Sequence, residues 1–175
     1  ILGDYILAKN MNIGLQSGQF DLVTHVCGSM AALCEGEVLQ DECAANSTMT
    51  RQAYLDIIYK KTASLLGVSA SAGALAVGAT RDRVATMRRF GEAVGMAFQI
   101  QDDILDVTGS EEELGKPAGS DARNGKTTYV TLEGLEKAKK DVEQLSAQAI
   151  EDLEQLPGNN EFLENLIRML MDRKK

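Results

Sequence analysis

VATMRRFGEAVGMAFQIQDDILDVTG, residues 84–109, is the stretch on which the fold turns. Val84, Met87, Gly91, Val94, Phe98, Gln101 and Leu105 recur in alternating steps of three and four, which is one continuous stripe along a helix that faces other helices. Gly109 ends the stripe. The same period extends outward in both directions. The opening ILGDYILAKN reads as the middle of a helix. A helix from about Phe20 to Asp41 carries Val23, Cys27, Met30 and Cys34 on its inner stripe, and another from about Arg51 carries Tyr54, Ile58 and Leu65. Beyond residue 130, a charge-laced helix runs from about Leu135 until Pro157 stops it, and a last helix runs from about Glu161 to basic residues that suit its dipole. Thr50 and Thr80 stand where N-caps belong. No run shows sustained period-two alternation, so the fold class is all-α.

The 175 residues suit one globular unit, and 44% hydrophobic against 25% charged residues excludes a disordered chain. A net charge of -8 repels phosphate backbones, so nucleic acid is excluded as a partner and any anionic ligand must be met by local lysines or bridging cations. Cys27, Cys34 and Cys43 are odd in number and form no CxxC; buried free thiols in a reducing cytoplasm are expected. The longest uncharged stretch, Thr62 to Thr80, holds few strongly apolar residues, so stable membrane insertion is not expected. Its small residues, among them Gly67, Gly73 and Gly78, predict a central helix that its neighbours approach closely. His25 falls opposite the apolar stripe and reads as solvated.

Chemistry concentrates beside the first stripe. Gln99, Asp102, Asp103 and Asp106 occupy i, i+3, i+4 and i+7, a single arc bordering Phe98 and Leu105. Like charges on adjacent turns repel, so a cation is expected between the three carboxylates, and oxygen-only ligands suit Mg²⁺ shared with a diphosphate. The alternative is a solvated acidic face, but these carboxylates border the buried stripe instead of lying opposite it. Lys61 shares the stripe of Tyr54 and Ile58, whereas Lys60 points away; Lys61 therefore needs an anion in the interior. Glu37 falls on the stripe of Met30 and Cys34, with Gln40 at its edge, placed either to pair with a lysine or to orient a ligand. The segment GSEEELGKPAGSDARNGK is a long loop in which Lys116, Asp121 and Lys126 alternate in sign, and mobile cations there suit closure over a diphosphate.

The strings GMAFQIQDDILDVTG, ELGKPAGSDARNGKTTY, IIYKKTASL and CEGEVLQ resemble the trans-type isoprenyl diphosphate synthases, or polyprenyl synthetases, over essentially the whole chain. The resemblance implies an all-α bundle around a central cavity, with two aspartate-rich motifs facing each other at its mouth. Asp102, Asp103 and Asp106 match the second motif, which binds Mg²⁺ bridging to an allylic diphosphate. Lys61, Thr62, Gln99, Lys116 and Lys126 match positions that contact or neighbour that diphosphate, with Lys61 and Lys126 assisting its departure, and Asp121 matches the acidic residue of the loop.

The first motif, expected ahead of Gly3-Asp4-Tyr5, is not in this chain, so residues 1–175 are expected to form the carboxy-terminal part of one isoprenoid synthase domain, an incomplete bundle, inactive alone. The resemblance implies a Mg²⁺-dependent cytoplasmic prenyltransferase that joins isopentenyl diphosphate to an allylic diphosphate as a homodimer. Two alternatives stay open: a non-catalytic helical subunit or truncated homologue, and a class I terpene cyclase, which the intact aspartates disfavour.

Overall fold

The computed structural model describes residues 1–109 and 126–173, and among these every regular element is helical. Helix α1 spans Leu2–Gln16 and turns through Gly18, at φ 73°, into α2, Phe20–Asn46. Helix α3, Arg51–Ile58, begins as expected on Thr50, whose hydroxyl accepts from the Ala53 amide at 3.2 Å. It runs without a break through a π-helical turn, Tyr59–Ala63, into α4, Ser64–Ala76. Helix α5, Arg81–Thr108, is the long one. Thr80 precedes it with extended backbone, but its side chain makes no capping bond. After residue 126 come α6, Tyr129–Glu133, α7, Leu135–Glu154, and α8, Glu161–Met171.

Helix α5 is the axis of the bundle. Ile100 and Ile104 pack with Tyr54 and Ile58 of α3, Tyr129 of α6 and Val142 of α7 in one core cluster. Further back along the helix, Phe90, Ala93 and Val94 pack with Ala149 and Leu153 of α7 and Ile167 of α8 in a second. On its other side α4 lies against it almost backbone to backbone. A Cβ on Gly91 would fall 2.5 Å from the Leu66 carbonyl oxygen, and one on Gly95 would fall 2.5 Å from the Cα of Ala63. Gly67 answers from α4: a Cβ there would meet the Glu92 side chain at 2.6 Å and the Arg88 carbonyl at 3.1 Å. Close approach was expected of Gly67, Gly73 and Gly78; only the first provides it, for Gly73 faces open space and Gly78 takes the positive φ of 68° that ends α4.

Four expectations change here. The inner line of α2 is Ser29, Gly36 and Cys43, seven residues apart, and not the stripe of Val23, Cys27, Met30 and Cys34. The cause is Gly36, where a Cβ would come within 2.8 Å of Lys61 Cγ and 2.9 Å of Lys60 Cβ, so the smallest residues of α2, not its most apolar ones, face the lysine-bearing turn. Of the three thiols only Cys43 is buried; Cys27 and Cys34 are exposed. Leu65, expected beside Tyr54 and Ile58, is 42% exposed, because the π turn spends an extra residue and rotates α4 out of phase with α3. The described helix long and apolar enough to cross a bilayer is α2, with a mean hydropathy of 1.2, and not the Thr62 to Thr80 stretch; 11% of that apolar window is buried. Lys116 and Asp121 lie outside the described residues.

Candidate active site

Where α2, the α3–π-turn junction, α5 and the strand of chain entering α6 meet, they enclose a cavity of about 380 Å³. Lys61, Thr62, Gln99, Asp103 and Lys126, five of the residues singled out by sequence, line it together with Gln40. Asp102 and Asp106 sit on the same helix outside that lining.

The π turn sets the basic side. It brings both lysines against α2, where Glu35 and Glu37 flank Gly36: Lys60 Nζ meets Glu35 at 2.8 Å, and Lys61 Nζ meets Glu37 at 2.9 Å. Lys61 also donates to Gln40 Oε1 at 2.9 Å. The expected division of the two lysines holds at the cavity, since Lys61 lines it and Lys60 does not. Glu37 pairs with Lys61, as one of its two readings expected, but from outside the interior, for its side chain is 51% exposed. An ammonium carries three donors, so Lys61 retains one beyond those two bonds. One residue on, Thr62 donates its hydroxyl to Gln99 Oε1 at 3.1 Å across to α5. With its oxygen engaged, the Gln99 amide keeps its N–H donors for a ligand.

The acidic side is less uniform than one arc of carboxylates. Asp103 is 2% exposed, and its Oδ2 accepts from the Tyr54 hydroxyl and from the Tyr129 backbone N–H, each at 2.6 Å. Burial, reinforced by the Asp103 charge, drives the Tyr54 hydroxyl far above its ordinary pKa, so it remains a proton donor throughout the working range. Asp106 is buried as well. The Asp102 side chain, 41% exposed, turns the other way and pairs with the Arg173 guanidinium, which also lies 3.9 Å above the Phe98 ring. The three carboxylates therefore do not converge on one point, and among the described residues no group of three His, Cys, Asp or Glu side chains is arranged to hold a metal ion. Asp102 is the partly solvated carboxylate of the three, a hard-oxygen donor of the kind Mg²⁺ takes, and its counter-ion in this structure is Arg173.

Sequence reasoning missed Tyr54, Tyr129 and Arg173 as site residues. Tyr54 was visible only as an apolar position, and Tyr129 acts through its main chain. Tyr129 is held at its other end too, donating its hydroxyl to Asp141 at 2.7 Å, with Lys137 paired to the same carboxylate. Thr128 caps α6 through a reciprocal pair of bonds with Thr131, so the chain from Lys126 into α6 is fixed at several points.

The polyprenyl synthetase family profile matches residues 1–166. The chain is 37% identical over 150 residues to a short chain isoprenyl diphosphate synthase of Methanothermobacter thermautotrophicus, covering 83% of this chain and 46% of that one. It is 40% identical over 133 residues to heptaprenyl diphosphate synthase component 2 of Geobacillus stearothermophilus, covering 76% and 42% respectively. This chain thus spans about half the length of the curated relatives it matches. The crystal structure of a decaprenyl diphosphate synthase from Rhodobacter capsulatus superposes with a TM-score of 0.88 at 27% identity, covering 99% of this chain and 66% of that one. Motif content, helical architecture and profile agree, and the chain belongs to the polyprenyl synthetase family.

Proposed function

We propose that the full-length protein is a Mg²⁺-dependent trans-prenyltransferase that joins isopentenyl diphosphate to an allylic diphosphate, lengthening a linear prenyl chain. The observation that carries this reading is the convergence of Lys61, Thr62, Gln99 and Lys126 on one cavity in a chain of net charge -8: basic and amide donors gather where the rest of the molecule repels anions. Family membership supplies the reaction class.

In this reading the diphosphate of the allylic substrate takes donors from Lys61, Gln99 and Lys126, and Asp102 and Asp106 would hold Mg²⁺. Bound Mg²⁺ supplies charge neutralisation of the leaving group. Lys61 and Lys126 add positive charge where negative charge develops as the allylic C–O bond breaks and its electron pair leaves with the diphosphate. Thr62 keeps the Gln99 amide turned toward the anion. The double bond of isopentenyl diphosphate then forms the new C–C bond, and a proton passes to the departed diphosphate, so no side-chain base is needed. Lys116 belongs to the same diphosphate set by its motif.

The test is turnover of the full-length protein with isopentenyl diphosphate, an allylic diphosphate and Mg²⁺, following prenyl chain growth. Growth that requires the metal and fails in Lys61→Ala supports the reading, and absence of product with every allylic diphosphate offered overturns it. A second reading, action with a different partner subunit and not as a homodimer, is favoured by the Geobacillus relative, which is named as one component of an enzyme. Activity of the protein purified alone as a dimer excludes that reading.

A further inference from the structure

We propose that Tyr54 and Asp103 are positioning residues that hold Lys126 at the cavity, through the grip of the Asp103 carboxylate on the Tyr54 hydroxyl and the Tyr129 backbone N–H. The proposal rests on the diphosphate reading above for what Lys126 does, and goes beyond it in assigning how Lys126 is placed.

Lys126 stands three residues before Tyr129, on the chain that leads into α6. One anchor of the main chain beneath it is the N-terminus of α6, where the Tyr129 amide would otherwise be an unsatisfied helix donor. Asp103 meets it at 2.6 Å with the same oxygen that accepts from Tyr54 at 2.6 Å, so one buried Oδ2 joins α3, α5 and α6. The Tyr54 and Tyr129 rings lie 5.5 Å apart beside this junction, and Asp141 fixes the far end of Tyr129. A carboxylate holding a helix N-terminus is well matched to the charge there. Displacing Asp103 toward a metal would break both bonds in a buried setting, where an unmet amide and hydroxyl are costly. Asp102, 41% exposed, would give up its ion pair with Arg173 but no buried backbone bond.

The Tyr54→Phe variant removes one donor while keeping the ring, the carboxylate and the packing. In the full-length protein the KM for the allylic diphosphate is expected to rise about fivefold or more with kcat within about twofold, because substrate placement and not the chemical step is affected. Amide exchange over residues 126–129 should accelerate by about tenfold. Mn²⁺ binding, read by paramagnetic relaxation without substrate, should stay within about twofold of wild type. A purely structural role is separated by the double variant: Tyr54→Phe added to Lys126→Ala should raise KM no further than Lys126→Ala alone. Additive effects of the two changes overturn the proposal. So does an Asp103→Asn variant that loses as much Mn²⁺ affinity as Asp102→Asn, for Asp103 is then a metal ligand. If Asp102→Asn leaves Mn²⁺ binding intact, the metal reading itself falls, visibly and separately, and this proposal falls with it.

Discussion

Gly91 of α5 and Leu66 of α4 approach so closely that a methyl group on Gly91 would sit 2.5 Å from the Leu66 carbonyl oxygen. The obstructing atom is main chain, which cannot rotate aside, so the helices must separate to admit even one carbon. Gly91→Ala should therefore destabilise the fold by about 2 kcal/mol, as overpacking of a tight core does. Gly73→Ala, mid-helix in α4 with nothing within 4 Å, should instead gain roughly 0.5 to 1 kcal/mol from helix propensity. Chemical denaturation of both variants checks the contrast, and equal effects would contradict the packing described.

The two adjacent lysines offer a second comparison. Each pairs with a glutamate of α2 at nearly the same distance, but only Lys61 lines the cavity. Lys60→Ala should cost at most about 1 kcal/mol of stability, as a surface ion pair does, and leave turnover within about twofold. Lys61→Ala should lower kcat/KM for the allylic diphosphate by about a hundredfold or more, the usual effect of losing an electrostatic stabiliser of the leaving group. Steady-state kinetics with both variants decides; equal losses would mean that the cavity is not the diphosphate site.

Asp102→Asn separates charge from shape. The variant loses its ion pair with Arg173 but relieves repulsion from Asp103 and Asp106, and at 41% exposure the balance should stay within about 1 kcal/mol. Activity should fall by about a hundredfold to a thousandfold. A variant with near-normal turnover at limiting Mg²⁺ would remove Asp102 from the metal site.

Acid should loosen α6 through Asp141. Burial pushes this carboxyl up, but hydrogen bonds from Lys137 and Tyr129 outweigh it and hold the group below its ordinary value of 3.8. A group whose pKa is depressed by folding contributes stability that is present above the unfolded value and lost as pH falls through the folded one. The difference in denaturant midpoint between wild type and Asp141→Asn should be constant above about pH 5 and shrink on acidification below 3.8. A difference that grows toward low pH would show the opposite shift.

What could be read from the sequence follows from the range of each signal. Helical period is local, so α5 and its end at Gly109 were legible, but its buried face was so only in part: of the expected stripe Gly91, Val94 and Leu105 are buried, Val84, Met87, Phe98 and Gln101 are half-buried, and Phe90, Ala93, Ala97, Ile100 and Ile104 carry the core. The convergence of Lys61, Thr62, Gln99 and Lys126 was also legible, because motif resemblance carries spatial information that period does not. Burial on α2 was misread because hydrophobicity marks apolar contact, whereas Gly36 is buried by a lysine-bearing backbone. The phase of Leu65 was lost because a π turn leaves the residue pattern unmarked while shifting everything after it. The partners of Asp103 and Asp102, Tyr54 and Arg173, lie 49 and 71 residues away, and no period within one helix encodes such a pairing.

The π turn at Tyr59–Ala63 also sets which way α4 faces. Deleting one residue and closing the wide turn into an ordinary α-helix would leave α4 facing as it does, because the extra residue is what that turn absorbs. Losing the wide turn while keeping the residue would instead advance α4 by about 100°, carry Gly67 off Glu92 and Arg88, and drive a bulkier neighbour into the Gly91 crossing. The segment therefore stores one residue of phase between the lysines at the cavity and the glycine crossing behind them.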